Sequence, residues 1–176
     1  HRLHRQYEPM LVLCYGMQKS GSTLAFELTC GVLQSAGFAQ DFIRNDLHEP
    51  REGKAYRNYV EEVTADSVEA LIATIGPARR IAVKTHSTFP DGDFKRLEML
   101  QAKGDLQVVA SYRDPRDVCL SLLDAGERSR TLERGGFGKF ETLDEAAKFV
   151  KGRTARFRKW ASLKGTLRLE YETVAY

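Results

Sequence analysis

Within eight residues, Gly16-Met17-Gln18-Lys19-Ser20-Gly21-Ser22-Thr23 combines two glycines, a lysine and three hydroxyls. An apolar run, Met10-Leu11-Val12-Leu13-Cys14-Tyr15, precedes it, and a helical pattern of Leu24, Phe26, Leu28, Val32 and Leu33 follows. Strand, glycine loop and helix together make a cradle for phosphate. Glycine lets the backbone turn tightly against an anion, and the helix start offers unpaired N–H groups at a positive dipole end. Lys19 adds a full charge, and Ser20, Ser22 and Thr23 add hydroxyl donors. The spacing of Gly16 and Gly21 is that of a Walker A loop, G-x-x-x-x-G-K-[ST]. Ser22 nevertheless occupies the lysine position, and the lysine stands two residues before Gly21.

Two further strand-ending segments carry chemistry. Leu106 to Tyr112 reads as a buried strand that runs into Arg113-Asp114-Pro115-Arg116-Asp117. Pro115 suits the first turn of a helix and Asp114 its N-cap. Arg113 therefore falls at the carboxyl end of a strand, where α/β sheets bind ligands, and a guanidinium grips phosphate bidentately. Ser121 lies two turns into the helix that follows. Arg80-Ile81-Ala82-Val83 is a third apolar strand, and it ends in Lys84-Thr85-His86. Alternation along a strand puts Lys84 and His86 on one face. A final strand, 166–171, ends at Tyr171-Glu172-Thr173.

These segments, in this order, resemble the sulfotransferases that use 3′-phosphoadenosine-5′-phosphosulfate (PAPS). The displaced Lys19 resembles their 5′-phosphosulfate loop, Arg113 and Ser121 their 3′-phosphate motif, Lys84-Thr85-His86 their lysine–x–histidine, and Tyr171-Glu172 their Tyr-Glu-Asp strand end. The resemblance spans roughly residues 10–174. It implies a three-layer α/β sandwich with a central parallel sheet, P-loop NTPase-like. It implies PAPS as donor and 3′-phosphoadenosine-5′-phosphate (PAP) as product, without a metal. Ser20, Gly21, Ser22, Thr23, Arg113, Ser121 and Tyr171 would hold the nucleotide, with Tyr171 on the adenine. Lys19 would stabilise the leaving phosphate, Lys84 would neutralise the sulfuryl group, and His86 would be the general base. Some members use a carboxylate base after the loop helix, and Asp41, Asp46 and His48 fall there, with Glu27 on the helix itself. Two departures stand out: Leu24 replaces an aromatic, and the family's C-terminal Arg-Lys-Gly segment is absent. The chain thus reads as a fragment or a short member. An ATP-dependent kinase and a non-catalytic nucleotide-binding module are the alternatives.

Composition is that of one soluble domain, with 42% apolar and 29% charged residues and a net charge of +3. So mild a charge argues against a nucleic-acid partner. The acceptor is expected to be a hydroxyl or amine of a small molecule or glycan. No apolar run approaches the ~20 residues of a membrane span, and the expected location is cytoplasmic. Cys14, Cys30 and Cys119 lack the spacing of a metal site and read as reduced thiols.

The elements that must position these residues alternate. Strands are expected at 10–15, 80–85, 106–112 and 166–171. Helices are expected at 22–36, 66–75, 93–103, 115–125 and 142–161. In the second helix, Asp66 and Glu69 have capping-box spacing. Residues 38–63 and 126–141 read as mobile connections. In helix 142–161 the apolar stripe is Leu143, Ala146, Ala147, Val150, Phe157 and Ala161, with Trp160 as anchor and Lys148, Lys151, Arg158 and Lys159 off it.

Overall fold

Three apolar runs of this chain become the centre of one sheet. The computed structural model describes residues 8–41, 58–133 and 135–175. Strands β1 (Met10–Gly16), β2 (Arg80–Thr85), β3 (Leu106–Tyr112) and β4 (Leu167–Glu170) lie in the order β2-β1-β3-β4, and every pairing is parallel. Parallel sheets are covered on both faces, which is why β1 to β3 read as continuous apolar runs. Helices α1 (Ser22–Ser35), α2 (Ala65–Ile75), α3 (Phe94–Lys103), α4 (Pro115–Thr131), α5 (Leu143–Ser162) and the short α6 (Tyr171–Ala175) supply the cover.

Strand alternation sorts the core into layers. Leu11, Leu13, Tyr15, Ile81, Val83, Val108 and Ala110 face Val68, Leu71 and Ile75 of α2, Leu97 and Leu100 of α3, and Trp160 of α5. Val12, Cys14, Ala82 and Val109 face Phe26, Cys30 and Leu33 of α1. Met17 packs with Val118, Cys119 and Leu122 of α4 and Ala146 and Val150 of α5. The result is the expected three-layer α/β sandwich. Trp160 anchors α5 as expected: it is fully buried, stacks on Tyr15 and donates its indole N–H to the Ser87 carbonyl at 2.9 Å.

Three local expectations need correcting. The box at the start of α2 is Thr64 with Ser67, not Asp66 with Glu69. Thr64 accepts from the Ser67 N–H at 3.0 Å, and the Ser67 hydroxyl accepts from the Thr64 N–H at 2.9 Å. Asp66 and Glu69 instead hold Arg96 of α3. Helix α4 runs to Thr131, six residues past the expected end, and takes Arg128 and Arg130 out of the connection. Gly126 permits this, because a Cβ there would lie 2.2 Å from the Phe140 carbonyl that crosses it. Finally, β4 stops at Glu170 and Tyr171 opens a helix rather than ending a strand.

Parallel pairing brings the four carboxyl ends to one edge. Tyr15 pairs with Thr85, Gly16 with Ser111, and Tyr112 with Glu170. From β1 the chain goes on to β2 on one side, and from β3 to β4 on the other. Neighbouring strands whose connections diverge leave a crevice outside their carboxyl ends. The β1–α1 loop and Arg113 flank it.

Candidate functional site at the carboxyl edge of the sheet

The loop from β1 to α1 is drawn tight by its glycines. A Cβ at Gly16 would lie 2.3 Å from Ser111 Oγ and 2.6 Å from Ser22 Cβ, so only glycine lets the loop leave the sheet here. Gly21 sits in the left-handed region at φ 80°, and so does Lys19 at φ 68°. Ser20 is buried and turned inward, its hydroxyl donating to the Met17 carbonyl at 2.8 Å. It braces the loop rather than pointing a donor out of it.

The N-terminus of α1 is left open. Gly21 is its N-cap, no side chain caps it, and its first turn holds no acidic residue. By contrast Thr64, Asp114 and Thr142 cap α2, α4 and α5. Uncapped N–H groups at the positive end of a helix dipole suit an anion. Lys84 stands beside them. It is buried, and its ammonium donates to Thr23 Oγ1 at 2.7 Å. Burial lowers its pKa from 10.5, against smaller opposing pulls from Cys14 and Glu27. Lys19 reaches the other way, its Nζ 5.6 Å from the centroid of the Phe137 ring.

His86 lies one residue past β2 and turns over the end of β1. Its Nδ1 is 2.5 Å from the Gly16 carbonyl. A carbonyl only accepts, so Nδ1 carries the hydrogen and Nε2 keeps the lone pair. Burial lowers the His86 pKa from 6.5, the Gly16 hydrogen bond opposes this, and the charges of Lys84 and Arg153 lower it further. Burial and these charges both favour the neutral imidazole, with Nε2 as its basic nitrogen. Tyr59 packs against it with ring centroids 5.6 Å apart. The backbone beside Tyr59 is pinned to β2: Asn58 O and Val60 N exchange hydrogen bonds with Lys84, each at 2.8 Å.

Arg113, Tyr171 and Gly21 form one contact cluster. The Arg113 guanidinium lies 4.5 Å from the Tyr171 ring centroid. The same ring covers the loop, since a Cβ at Gly21 would meet its Cδ2 at 2.2 Å. Arg113 is 3.8 Å from Asp117 and 4.0 Å from Glu172, too far for strong hydrogen bonds. Its Nε is buried without a hydrogen-bond partner among the described residues. Glu172 instead accepts the Asp114 N–H at 3.2 Å. Asp114 caps α4 through the Arg116 N–H at 2.8 Å and pairs with the Arg116 side chain. It is thereby occupied, and no free carboxylate ends β3. Ser121 is half-buried two turns along α4, with no hydrogen-bond partner among the described residues.

The carboxylate alternatives fare differently. Asp41 pairs with Arg79, immediately before β2, while His86 follows its other end. The Asp41 carbonyl accepts from the Asn58 side-chain amide at 2.9 Å, and the same amide reaches the Ala82 carbonyl at 3.3 Å, so Asp41 runs beside β2. Its carboxylate is occupied by Arg79. Asp46 and His48 lie outside the described residues. Among the described residues, no group of three or more His, Cys, Asp or Glu could hold a metal ion. No helix among them is long and apolar enough to cross a membrane. The cysteines are free, and burial pushes the thiol of Cys14 up to about 12 and that of Cys30 to about 11.

Two contributors escape sequence reading. Ser111 has no motif around it, yet its hydroxyl donates to the Tyr15 carbonyl at 3.3 Å and packs on Gly16. Arg153, in the middle of α5, acts electrostatically on His86 and has its carbonyl 3.4 Å from the Tyr15 hydroxyl. The only available signal was its helical spacing of seven from Trp160. No family model matches the chain, and no curated protein is found similar to it.

Proposed function

We propose that this protein is a PAPS-dependent sulfotransferase. One observation carries the reading: an uncapped, acid-free helix start, a buried lysine, a neutral histidine and an arginine with an unpartnered Nε meet at one edge of the sheet. Each is suited to part of an anionic nucleotide or to proton removal. PAPS supplies the sulfuryl group, whose bond to the phosphate oxygen breaks, leaving the electron pair on phosphate, as the acceptor oxygen bonds to sulfur.

The α1 N–H groups, with Ser22 and Thr23, would hold the 5′ end. Arg113, aided by Ser121, would hold the 3′-phosphate, its Nε gaining the partner it lacks. Lys84, desolvated beside Thr23, would neutralise charge on the transferring group, and an anion next to it would raise its pKa again. Lys19 would turn from Phe137 toward the leaving phosphate. His86 Nε2 would take the acceptor's proton, with Gly16 holding the ring in the competent tautomer. The Tyr171 ring is stacked between Arg113 and Gly21, beside the expected adenine position.

The test is nucleotide choice. Arg113 serves a 3′-phosphate, so PAP should bind at least tenfold more tightly than ADP in calorimetry, a difference of about 1.4 kcal/mol. Equal affinities would remove this reading in favour of an ATP-dependent kinase, and no binding of either would remove both.

A further inference from the structure

We propose that Arg153 and Arg156 of α5 are the seat for an anionic group on the acceptor, which makes the substrate class a hydroxyl compound bearing a carboxylate or sulfate. The assignment of the anion to an acceptor rests on the sulfotransferase reading; the seat itself does not. Three residues apart on a helix, the two side chains emerge on neighbouring positions of one face. That face is turned to the end of β1, because the Tyr15 hydroxyl donates to the Arg153 carbonyl at 3.4 Å and Trp160, two turns on, stacks on Tyr15.

Both arginines are half-buried. Around Arg153 stand Arg156, the phenols of Tyr15 and Tyr59, His86 and the Phe149 ring, whose centroid is 4.9 Å from its guanidinium. None of these is a carboxylate. Among the described residues, neither guanidinium makes an ion pair or donates a hydrogen bond. Two other half-buried cations, Lys159 and Arg113, do have acids within 4.0 Å. Lys159, on the same helix, has Asp91 and the Phe89 carbonyl, and Arg113 has Asp117 and Glu172. Two guanidiniums brought together out of water repel each other, and burial adds to the cost. Burial and Arg156 accordingly depress the Arg153 pKa. A bound carboxylate or sulfate would relieve both costs, and a pair of guanidinium forks matches its oxygens.

The position gives the seat its use. Arg153 is close enough to His86 to act on its titration. An acceptor anchored there by its anion would present its hydroxyl toward Nε2. Phe149 lies 5.1 Å from Phe140, and Phe140 lies 6.3 Å from Phe137, where Lys19 rests, so an aromatic wall joins the anion seat to the β1–α1 loop.

The experiment compares wild type with R153Q/R156Q, using benzoate as the probe. Calorimetry should show benzoate binding to wild type and at least tenfold weaker binding to the variant. R153K/R156K, which keeps both charges, should retain most of it. By NMR, saturating benzoate should raise the His86 imidazole pKa in wild type and leave it unmoved in the glutamine variant, a signature that a structural role for the arginines would not produce. An unchanged unfolding midpoint in R153Q/R156Q shows that the variant is folded. With PAPS, kcat/KM for 4-hydroxybenzoate should exceed that for phenol at least tenfold, and the ratio should collapse in the variant. Benzoate that fails to bind wild type, or binds both proteins equally, overturns the seat. Benzoate bound at the arginines without turnover of either acceptor, and with PAP no tighter than ADP, leaves the seat standing and removes the sulfotransferase reading.

Discussion

Replacing Gly21 by alanine tests the architecture of the loop directly. Gly21 has φ 80°, and the added Cβ would lie 2.2 Å from Tyr171 Cδ2 and 2.8 Å from Cε2. Holding an alanine in the left-handed region costs about 1–2 kcal/mol. A contact below 3 Å cannot be relieved by small shifts, so the ring must swing away from Arg113. Losing that stacked guanidinium adds about 0.5–1 kcal/mol. The expected total is about 1.5–3 kcal/mol, or roughly a 1 M fall in urea midpoint at a typical slope. The loop should lose PAP affinity in parallel. Tyr171→Ala provides the control, since it removes the ring that clashes. In Gly21→Ala/Tyr171→Ala only the backbone term should remain beside the lost stack, so the double variant should cost clearly less than the two singles added. Urea denaturation of the four proteins closes the cycle. Strict additivity, within about 0.3 kcal/mol, would show that residue 21 and Tyr171 do not meet, and would refute the packing of Tyr171 on the β1–α1 loop.

Other outcomes follow from the same geometry. His86→Ala should lower transfer by ~10²–10⁴-fold with PAP affinity nearly unchanged; unaltered turnover would mean that the base is elsewhere. Since the folded His86 pKa lies below 6.5, the neutral base is in place at neutral pH, and the acid limb of kcat/KM should fall below 6.5. A group depressed in this way stabilises the fold above pH 6.5 relative to acid, and that contribution is lost as pH falls through the folded pKa. Arg153→Gln should move the acid limb upward. Glu172→Gln should tighten PAP binding about threefold by releasing Arg113 from a competing, partly exposed carboxylate; weaker binding in calorimetry would instead make Glu172 a positioning partner of Arg113.

What the sequence makes legible here has a topological cause. Gly16, Lys84-Thr85-His86, Arg113 and Tyr171 each follow an apolar run, and a parallel sheet delivers every such residue to one edge. A reader who finds the runs has the neighbourhood without knowing the strand order. Details that depend on lateral packing are not available in that way. Thr64 with Ser67 and Asp66 with Glu69 both have capping spacing, and the chain places Asp93 so that its carboxylate takes the Ala65 N–H at 2.9 Å while Arg96 draws Asp66 and Glu69 outward. The end of α4 depends on a carbonyl from residue 140 crossing Gly126, a contact between segments that local pattern does not encode. Asp41 sits in the right stretch of sequence for a base, but Arg79 takes its carboxylate, a pairing that distance along the chain does not disclose. Arg153 and Arg156 are the same problem in reverse. They lie in the middle of a basic amphipathic helix, where lysines and arginines ordinarily face solvent. Only the contact of α5 with the end of β1, through Tyr15 and Trp160, brings Arg153 to His86 and Arg156 beside it. The strand-ending residues of the site are therefore readable as motifs, whereas Arg153 and Arg156 depend on helix placement, which is why the motifs alone suggest a donor and leave the acceptor open.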